Sequence, residues 1–287
     1  MKKSLTIMVS VALLVTYFVM SFVSCSNKAG VKNELTKYYQ SEWSRLSDNF
    51  SQAHFKALIL EYMDTMAHSP YPVATDRYAI AEKLAYQYCN ERLYSDLADM
   101  ALPHFSSTMS VIELKKVNND IANEKALSVV KKIADIMQND FRNLIDEHTG
   151  TTVASIMNGE EPVIPTLSEE LRKGYLPAME KFYIVSGRKE IIENGFIAMN
   201  EIMSQGAPES GMLTEAFFDY ISKASPILMC MTMEDKVSEE ELNMLISIYE
   251  QPEFVKLKNA NIEYSKEIAK ANAGVQEMFY SWLKKKI

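Results

Sequence analysis

The stretch VSEEELNMLISIY, residues 237–249, decides the fold class of this chain. Ser238 stands three residues before Glu241, which is the spacing of a capping box. In that motif the serine hydroxyl accepts from a helix amide, and the glutamate carboxylate accepts from the serine amide. Val237 and Leu242 occupy the flanking positions at which apolar side chains pack together as a hydrophobic staple. Apolar residues then recur every three or four positions, so the stretch predicts an amphipathic helix with a defined start.

The same arrangement occurs earlier in the chain, where Ser110 stands three residues before Glu113 and apolar residues flank the pair. Each stretch is preceded by a segment that runs from an aromatic residue through an aspartate to a proline, over residues 94–103 and 217–226. One capping box is a common pattern, but two in matching surroundings are not. We therefore interpret the chain as an internal duplication. Coincidence between two amphipathic helices is the alternative.

The helical period also dominates the rest of the chain. Apolar residues recur at spacings of three and four in residues 33–50, 55–66 and 78–93, and strict alternation is scarce. These patterns predict an all-α fold, specifically an antiparallel helical bundle made of two related multi-helix halves.

Glycine and proline mark the boundary between the predicted halves. We expect the first half at residues 33–148 and the second at residues 167–287, joined by a linker at residues 149–166. Such a long connection is typical of a linker or a functional loop. Four breaking residues lie in this stretch: Gly150, Gly159, Pro162 and Pro165.

The N-terminus has the composition of an export signal. Lys2 and Lys3 form a positive start, and residues 4–24 carry no charge and are strongly apolar at their centre. A positive start, an apolar run and a small final residue are typical of a secretory signal. Residues 1–24 are therefore predicted to be a signal peptide. An uncleaved membrane-spanning anchor is the alternative, because the run is long enough to cross a bilayer.

The end of this run, Phe22-Val23-Ser24-Cys25, resembles the lipobox of bacterial lipoproteins. The resemblance implies cleavage between Ser24 and Cys25 and acyl chains such as palmitate on Cys25, although Phe22 stands where the lipobox usually carries leucine. Residues 25–32 would then form a polar tether below the folded part. The resemblance implies a protein of the bacterial cell envelope that is anchored to the membrane by lipid. We expect it at the outer membrane, facing the periplasm, because the tether lacks an acidic export cluster.

The second half resembles a family of secreted bacterial helical proteins of uncharacterised function. That family combines a Ser/Thr-x-x-Glu-Leu start with a Phe-Tyr pair and a proline turn. Here the pattern reads SEEEL at residues 238–242, IY at residues 248–249 and a proline at position 252. The resemblance covers residues 180–270 and, more weakly, residues 77–145. It implies an all-helical envelope protein with two tandem copies, and it implies no catalytic residues.

Composition and motifs argue against several function classes. The formal net charge of −8 disfavours a nucleic-acid partner, because binding to phosphates requires clustered lysine and arginine. The sequence contains no G-x-S-x-G, G-x-G-x-x-G, P-loop or H-E-x-x-H motif. We therefore expect no cofactor and no enzymatic activity. An envelope hydrolase without a recognisable motif is an alternative.

A run of soft side chains between residues 229 and 233 suggests a second function hypothesis. Thioether and thiolate ligands select Cu(I), so the run could serve periplasmic copper handling. The simpler interpretation is core packing, because methionine fills irregular gaps. The candidate ligands are Met229, Cys230, Met231 and Met233. A disulfide between Cys89 and Cys230 is also open in an oxidising envelope, although two buried thiols are favoured.

The leading hypothesis is a non-enzymatic envelope lipoprotein that serves as a helical binding or assembly module. Its partners would be the membrane, through the lipid anchor, and an envelope protein. The C-terminus from Trp282 to Lys286 resembles a basic, aromatic membrane-surface element. We favour the simpler interpretation that its lysines complement the negative end of a helix dipole.

Overall fold

The computed structural model of the protein describes residues 28–41, 43, 44, 52–66, 77–194, 197 and 208–286. Within these residues every regular element is a helix and no strand occurs, so the prediction of an all-α bundle is confirmed. The predicted signal peptide, with Ser24 and Cys25, lies outside the described residues.

The first half contains α1 (residues 28–40), α2 (Gln52–Met66), α3 (Arg77–Glu91), α4 (Leu93–Thr108), α5 (Val111–Ile121), α6 (Glu124–Ile136) and, after one π-helical turn at Met137–Phe141, α7 (Arg142–Met157). The second half contains α8 (Glu169–Lys173), α9 (Tyr175–Val185), α10 (residues 188–194), α11 (Pro208–Met233), α12 (Glu239–Tyr249), α13 (Pro252–Lys266) and α14 (Ile268–Leu283). The helices follow one another closely from α3 to α6 and from α11 to α14.

Helix α1 begins and ends earlier than the sequence predicts. The tether expected at residues 25–32 is helical from residue 28, because Val31 is fully buried and extends the apolar face upstream. The helix expected as far as residue 50 ends at residue 40, where the Ser41 hydroxyl donates to the Tyr38 carbonyl. A serine that bonds the backbone in this way competes with the helical hydrogen bonds.

Helix α7 occupies the first part of the linker predicted at residues 149–166. It includes Gly150 and ends at Met157, and residues 158–168 are not helical. Helix α7 packs along α11, and its Thr152 is buried. This tertiary packing offsets the low helix propensity of Gly150, which is why composition alone places the boundary too early.

Both capping boxes are formed, and they start two helices of equal length. The Glu113 amide donates to the Ser110 hydroxyl at 3.3 Å, and the Ser110 amide donates to the Glu113 carboxylate at 2.8 Å. The corresponding distances at Ser238 and Glu241 are 3.2 and 2.9 Å. Helices α5 and α12, which follow these caps, have 11 residues each.

The main hydrophobic cluster contains residues from both predicted halves. Leu114 and Val117 on α5 and Leu242 and Leu245 on α12 are all fully buried in it. Phe182 on α9 joins them and contacts the ring of Tyr249 at 5.9 Å between centroids. The two halves are therefore not independent in their packing, since their capped helices share one core.

A second cluster joins α2, α3, α4 and α14. Phe279 of α14 lies at its centre, with ring centroids 4.9 Å from those of both Phe55 and Tyr88. A smaller cluster on α11 contains Tyr220, Ile221, Ala224 and Leu228.

Helices at matching positions of the two predicted halves each contact a helix of the other half. Helix α5 contacts α13 whereas α12 contacts α6, and α4 contacts α14 whereas α11 contacts α7. The capping-box glutamates follow the same exchange. Glu113 pairs with Lys256 on α13, and Glu241 pairs with Lys132 on α6 at 2.6 Å. Each half is therefore held by helices of the other.

The Glu113 pair predicts a defined pH dependence of stability. Hydrogen bonds from Lys256 and from the Ser110 backbone lower the pKa of Glu113 from 4.5 to about 2. Because the folded pKa is depressed, the stabilisation is complete above pH 4.5 and is lost as the pH falls through about 2. We expect a Glu113→Gln variant to be less stable than wild type at pH 7, with the difference shrinking as the pH falls from 4.5 to 2. Urea unfolding across this range measures the difference.

The matched control is Glu240→Gln, which neutralises an exposed first-turn carboxylate of α12 that forms no ion pair with the described residues. Its stability difference from wild type should stay small from pH 7 downward. A Glu113→Gln difference that persists unchanged at the lowest pH would show that the ion pair is not its cause.

Candidate functional site

The residue to which the sequence assigns the clearest chemistry, Cys25, lies just outside the described part of the chain. The described part begins at Lys28, three residues further on. Consecutive Cα atoms are separated by ~3.8 Å, so the Cα atoms of these two residues are at most ~11 Å apart. Whatever holds Cys25 therefore also holds the first turn of α1 nearby.

Helix α1 is attached firmly to the body of the protein. Lys32 pairs with Asp99 on α4 at 2.6 Å. Asn118 on α5 donates to both the carbonyl and the carboxylate of Glu34 at 3.0 Å. Leu35 is fully buried in the main cluster. These contacts fix α1 against α4 and α5 along its length.

An open cleft of about 550 Å³ lies beside α1. Its charged groups are already paired, since Lys32 binds Asp99 and Glu34 binds Lys37. Burial acts to raise the pKa of Glu34, but hydrogen bonds from Lys37 and Asn118 outweigh it and lower that pKa. Ligand sites are usually concave and mostly apolar, so this polar, neutralised cleft is a poor fit for an apolar ligand. The residues that line it are Ala29, Lys32, Asn33, Glu34, Thr36, Lys37 and Ser95.

The first turns of α1 and α5 lie side by side at one end of the bundle. A Cβ atom added to Gly30 would lie 2.8 Å from Cγ2 of Val111, so glycine is what allows the close approach. Ile112, the next residue, is 79% exposed. Lys28 and Lys115 are exposed on the same two helices, and neither forms an ion pair within the described part of the chain. We call Lys28, Ile112 and Lys115 the α1–α5 end face.

The corresponding positions on α12 have a different character. Aligning the two caps places Glu240 opposite Ile112 and Asn243 opposite Lys115. Acidic residues are favoured in the first turn of a helix because they complement its dipole, and α12 follows this rule with three glutamates. Helix α5 carries an exposed isoleucine there instead. Packing within the protein does not account for it, since the side chain is mostly in solvent.

The structure brings together only part of the predicted copper ligands. Met229, Cys230 and Met233 are buried on one side of α11 in the main cluster, whereas Met231 is 41% exposed. Burial raises the pKa of the Cys230 thiol to about 12, which disfavours the thiolate that a metal requires. No group of three or more His, Cys, Asp and Glu side chains in the described ranges is arranged to hold a metal ion.

The two other cysteines lie in different parts of the core. Cys230 belongs to the main cluster, and Cys89 packs against the cluster centred on Phe279. No disulfide joins Cys89 to Cys230.

The basic C-terminus lies at the opposite end of α4 from the α1–α5 end face. Leu283 shares a cluster with Leu93, the first residue of α4, and the Trp282 ring lies 5.3 Å from that of Tyr88. The α1–α5 end face lies beyond the last residue of α4. A helix of 16 residues is about 24 Å long. The lysines at 284–286 are exposed, and Lys286 lies 5.5 Å from the Trp282 ring.

None of the helices between residues 28 and 286 that the structure describes is both long and apolar enough to cross a membrane. Comparisons with protein families, with curated proteins and with solved structures find no match for this chain. The resemblances to the lipobox and to an uncharacterised helical family therefore stay predictions. Sequence reasoning missed the α1–α5 end face, although the contrast between Ile112 and Glu240 in the two aligned caps was its signal.

Proposed function

We propose that this protein is a non-enzymatic lipoprotein of the bacterial envelope, held to the membrane through Cys25 and acting as a helical binding or assembly module. The observation that carries the proposal is the N-terminal sequence, in which Lys2 and Lys3 precede an uncharged apolar run that ends at Ser24-Cys25. Two or more acyl chains give stable anchoring where one gives only marginal binding. We place the protein at the outer membrane, facing the periplasm.

The role in binding is supported by exposed aromatic side chains on α3. Tyr78 and Tyr86 are 59% and 61% exposed, and they lie about two helical turns apart. Aromatic residues are enriched in protein–protein interfaces, where they bury a large area at low entropic cost. The hairpin of α2 and α3 that carries them is held to the body through α4 and α14. An envelope protein is the partner that this surface fits.

Lipid anchoring is tested by metabolic labelling with an alkyne analogue of palmitate in the native bacterium. Wild type and the control variant Cys89→Ser should both take up the label. The Cys25→Ser variant should lose it completely and keep residues 1–24, because the cleavage step depends on the acylated cysteine. Label on the Cys25→Ser protein, or none on wild type, would refute the anchor.

The binding role is tested by chemical crosslinking in intact cells and affinity capture from solubilised membranes. A specific envelope protein should be captured with wild type, and the double variant Tyr78→Ala/Tyr86→Ala should reduce its recovery several-fold. The control Ile184→Ala removes an exposed apolar side chain from α9, 52% exposed, and should capture as wild type does. If wild type captures no protein above background, the assembly role is wrong.

A further inference from the structure

We propose that the α1–α5 end face rests on the bilayer that holds Cys25, with Ile112 entering the headgroup region and Lys28 and Lys115 meeting the phosphates of anionic lipids. This inference rests on the proposed acylation of Cys25. It goes beyond it by naming the surface of the folded body that contacts the membrane.

The chain between the proposed anchor and the folded body is short. Only Ser26 and Asn27 separate Cys25 from the described helix, so the Cα atom of Lys28 lies within ~11 Å of that of Cys25. An apolar face that binds a membrane surface typically penetrates by 5–10 Å. The reach of this short segment matches that depth, and it brings the end of α1 to the lipid headgroups.

The first turns of α1 are fixed to α5 and α4 by direct contacts. The Gly30–Val111 contact joins the first turns of α1 and α5. The ion pair between Lys32 and Asp99 then joins α1 to α4. Positioning the first turn of α1 at the membrane therefore positions Ile112 there as well, since it follows Val111 directly on α5.

The α1–α5 end face differs in chemistry from the matching positions on α12. Ile112 is 79% exposed at a position where α12 carries Glu240. Exposure of this isoleucine to water is unfavourable, and contact with the apolar part of the headgroup layer removes that cost. A glutamate at the same place would be repelled by anionic lipid. Isoleucine at position 112 therefore suits a helix start that contacts a membrane, whereas glutamate at position 240 suits a helix start that faces water.

The charges around the α1–α5 end face also favour contact with anionic lipid. The acidic groups nearby each have a lysine partner, since Asp99 binds Lys32, Glu113 binds Lys256 and Glu34 binds Lys37. Lys28 and Lys115 are exposed and form no direct ion pair with the described residues, so both can reach lipid phosphates, although Lys115 lies close enough to Glu34 to lower the pKa of that carboxyl. Unpaired lysines close to an anionic bilayer contribute to binding through this attraction.

The proposed orientation also assigns a direction to the C-terminus. Lys284, Lys285 and Lys286 follow α14, whose last residues lie beside the start of α4. The α1–α5 end face lies beyond the end of α4, about 24 Å along its axis. The basic C-terminus therefore does not share the membrane-contacting end of the bundle.

The test places an environment-sensitive fluorophore on the proposed face of the acylated full-length protein. Ile112→Cys and the matched control Glu240→Cys are each made in a Cys89→Ser background and labelled with an NBD maleimide. Cys230 is fully buried, and the acylated Cys25 carries no free thiol, so the label reports the introduced cysteine. The proteins are reconstituted into vesicles of phosphatidylethanolamine and phosphatidylglycerol.

We expect the emission of the label at position 112 to shift to shorter wavelength and to be quenched by brominated lipids, while the label at position 240 keeps its aqueous spectrum. Acylation of each sample is established beforehand by intact mass. An acylated, vesicle-bound protein whose label at 112 stays aqueous overturns this inference and leaves the anchor standing. Equal shifts at 112 and 240 also overturn it. An unacylated chain refutes the proposed function itself.

Discussion

Replacing Phe279 with alanine is expected to lower the free energy of unfolding by about 3–5 kcal/mol. The ring is fully buried, and its centroid lies 4.9 Å from those of Phe55 on α2 and Tyr88 on α3. The Trp282 ring stacks near it at 6.2 Å. Removing the ring leaves a cavity between α2, α3 and α14, which pack together through it. The rigid aromatic neighbours can close that cavity only in part.

Urea unfolding followed by circular dichroism measures this effect. The matched control is Tyr86→Ala, which removes a ring of similar size from the exposed face of α3 and should change stability by less than about 0.5 kcal/mol. If both variants lose the same small amount, Phe279 does not organise this cluster.

Replacing Asp96 with alanine is expected to cost about 1–3 kcal/mol, the second largest effect. Asp96 is fully buried in the first turn of α4, where it accepts from Tyr88 Oη at 2.8 Å and from Arg92 at 2.9 Å. Its removal leaves the Tyr88 hydroxyl buried without an acceptor and breaks the link between α3 and α4. Arg92 is half exposed and recovers hydration, so the cost comes mainly from the tyrosine.

The predicted duplication offers a control for this prediction at the matching position of the other half. Asp219 corresponds to Asp96 in that alignment, but it is exposed, and its ion pair among the described residues is with the exposed Lys223 at 2.7 Å. Asp219→Ala should therefore cost less than about 0.5 kcal/mol. In a double-mutant cycle, Tyr88→Phe should recover part of the Asp96→Ala loss, because it removes the stranded hydroxyl. A full additive loss would show that the two side chains do not depend on each other.

Local signals in the sequence were sufficient for the starts of α5 and α12. Ser110 and Ser238 begin α5 and α12 because a capping box satisfies backbone groups within four residues of chain. Where tertiary contacts decide, the predictions were less accurate. The start of α1 depends on burial of Val31, and the continuation of α7 through Gly150 depends on packing along α11. Neither contact is local.

The exchange of helices between the halves could not be predicted from one sequence. The pair of Glu113 and Lys256 joins residues 143 positions apart, and nothing in either neighbourhood specifies the other. Amphipathic patterns indicate which face of a helix is buried, but not against which helix. The pairing is visible only when all helices are placed together.

The candidate site was predictable in one part and not in another. The role of Cys25 stays a prediction, drawn from a contiguous pattern that needs no structure to be recognised. The α1–α5 end face joins Lys28 to Ile112 through the contact of Gly30 with Val111, so it exists only in the folded chain. The Met and Cys residues at 229–233 are contiguous in the sequence, but the helix separates them. Met231 is 41% exposed, whereas Met229, Cys230 and Met233 are buried.

The central claim is that Cys25 is the acylated first residue of the mature protein. It is tested most directly by the intact mass of the protein extracted from membranes of the native bacterium. The account predicts a chain that begins at Cys25 and is heavier than residues 25–287 by the mass of its acyl chains, with fragmentation placing the added mass on that residue. An unacylated chain that retains residues 1–24 would contradict it.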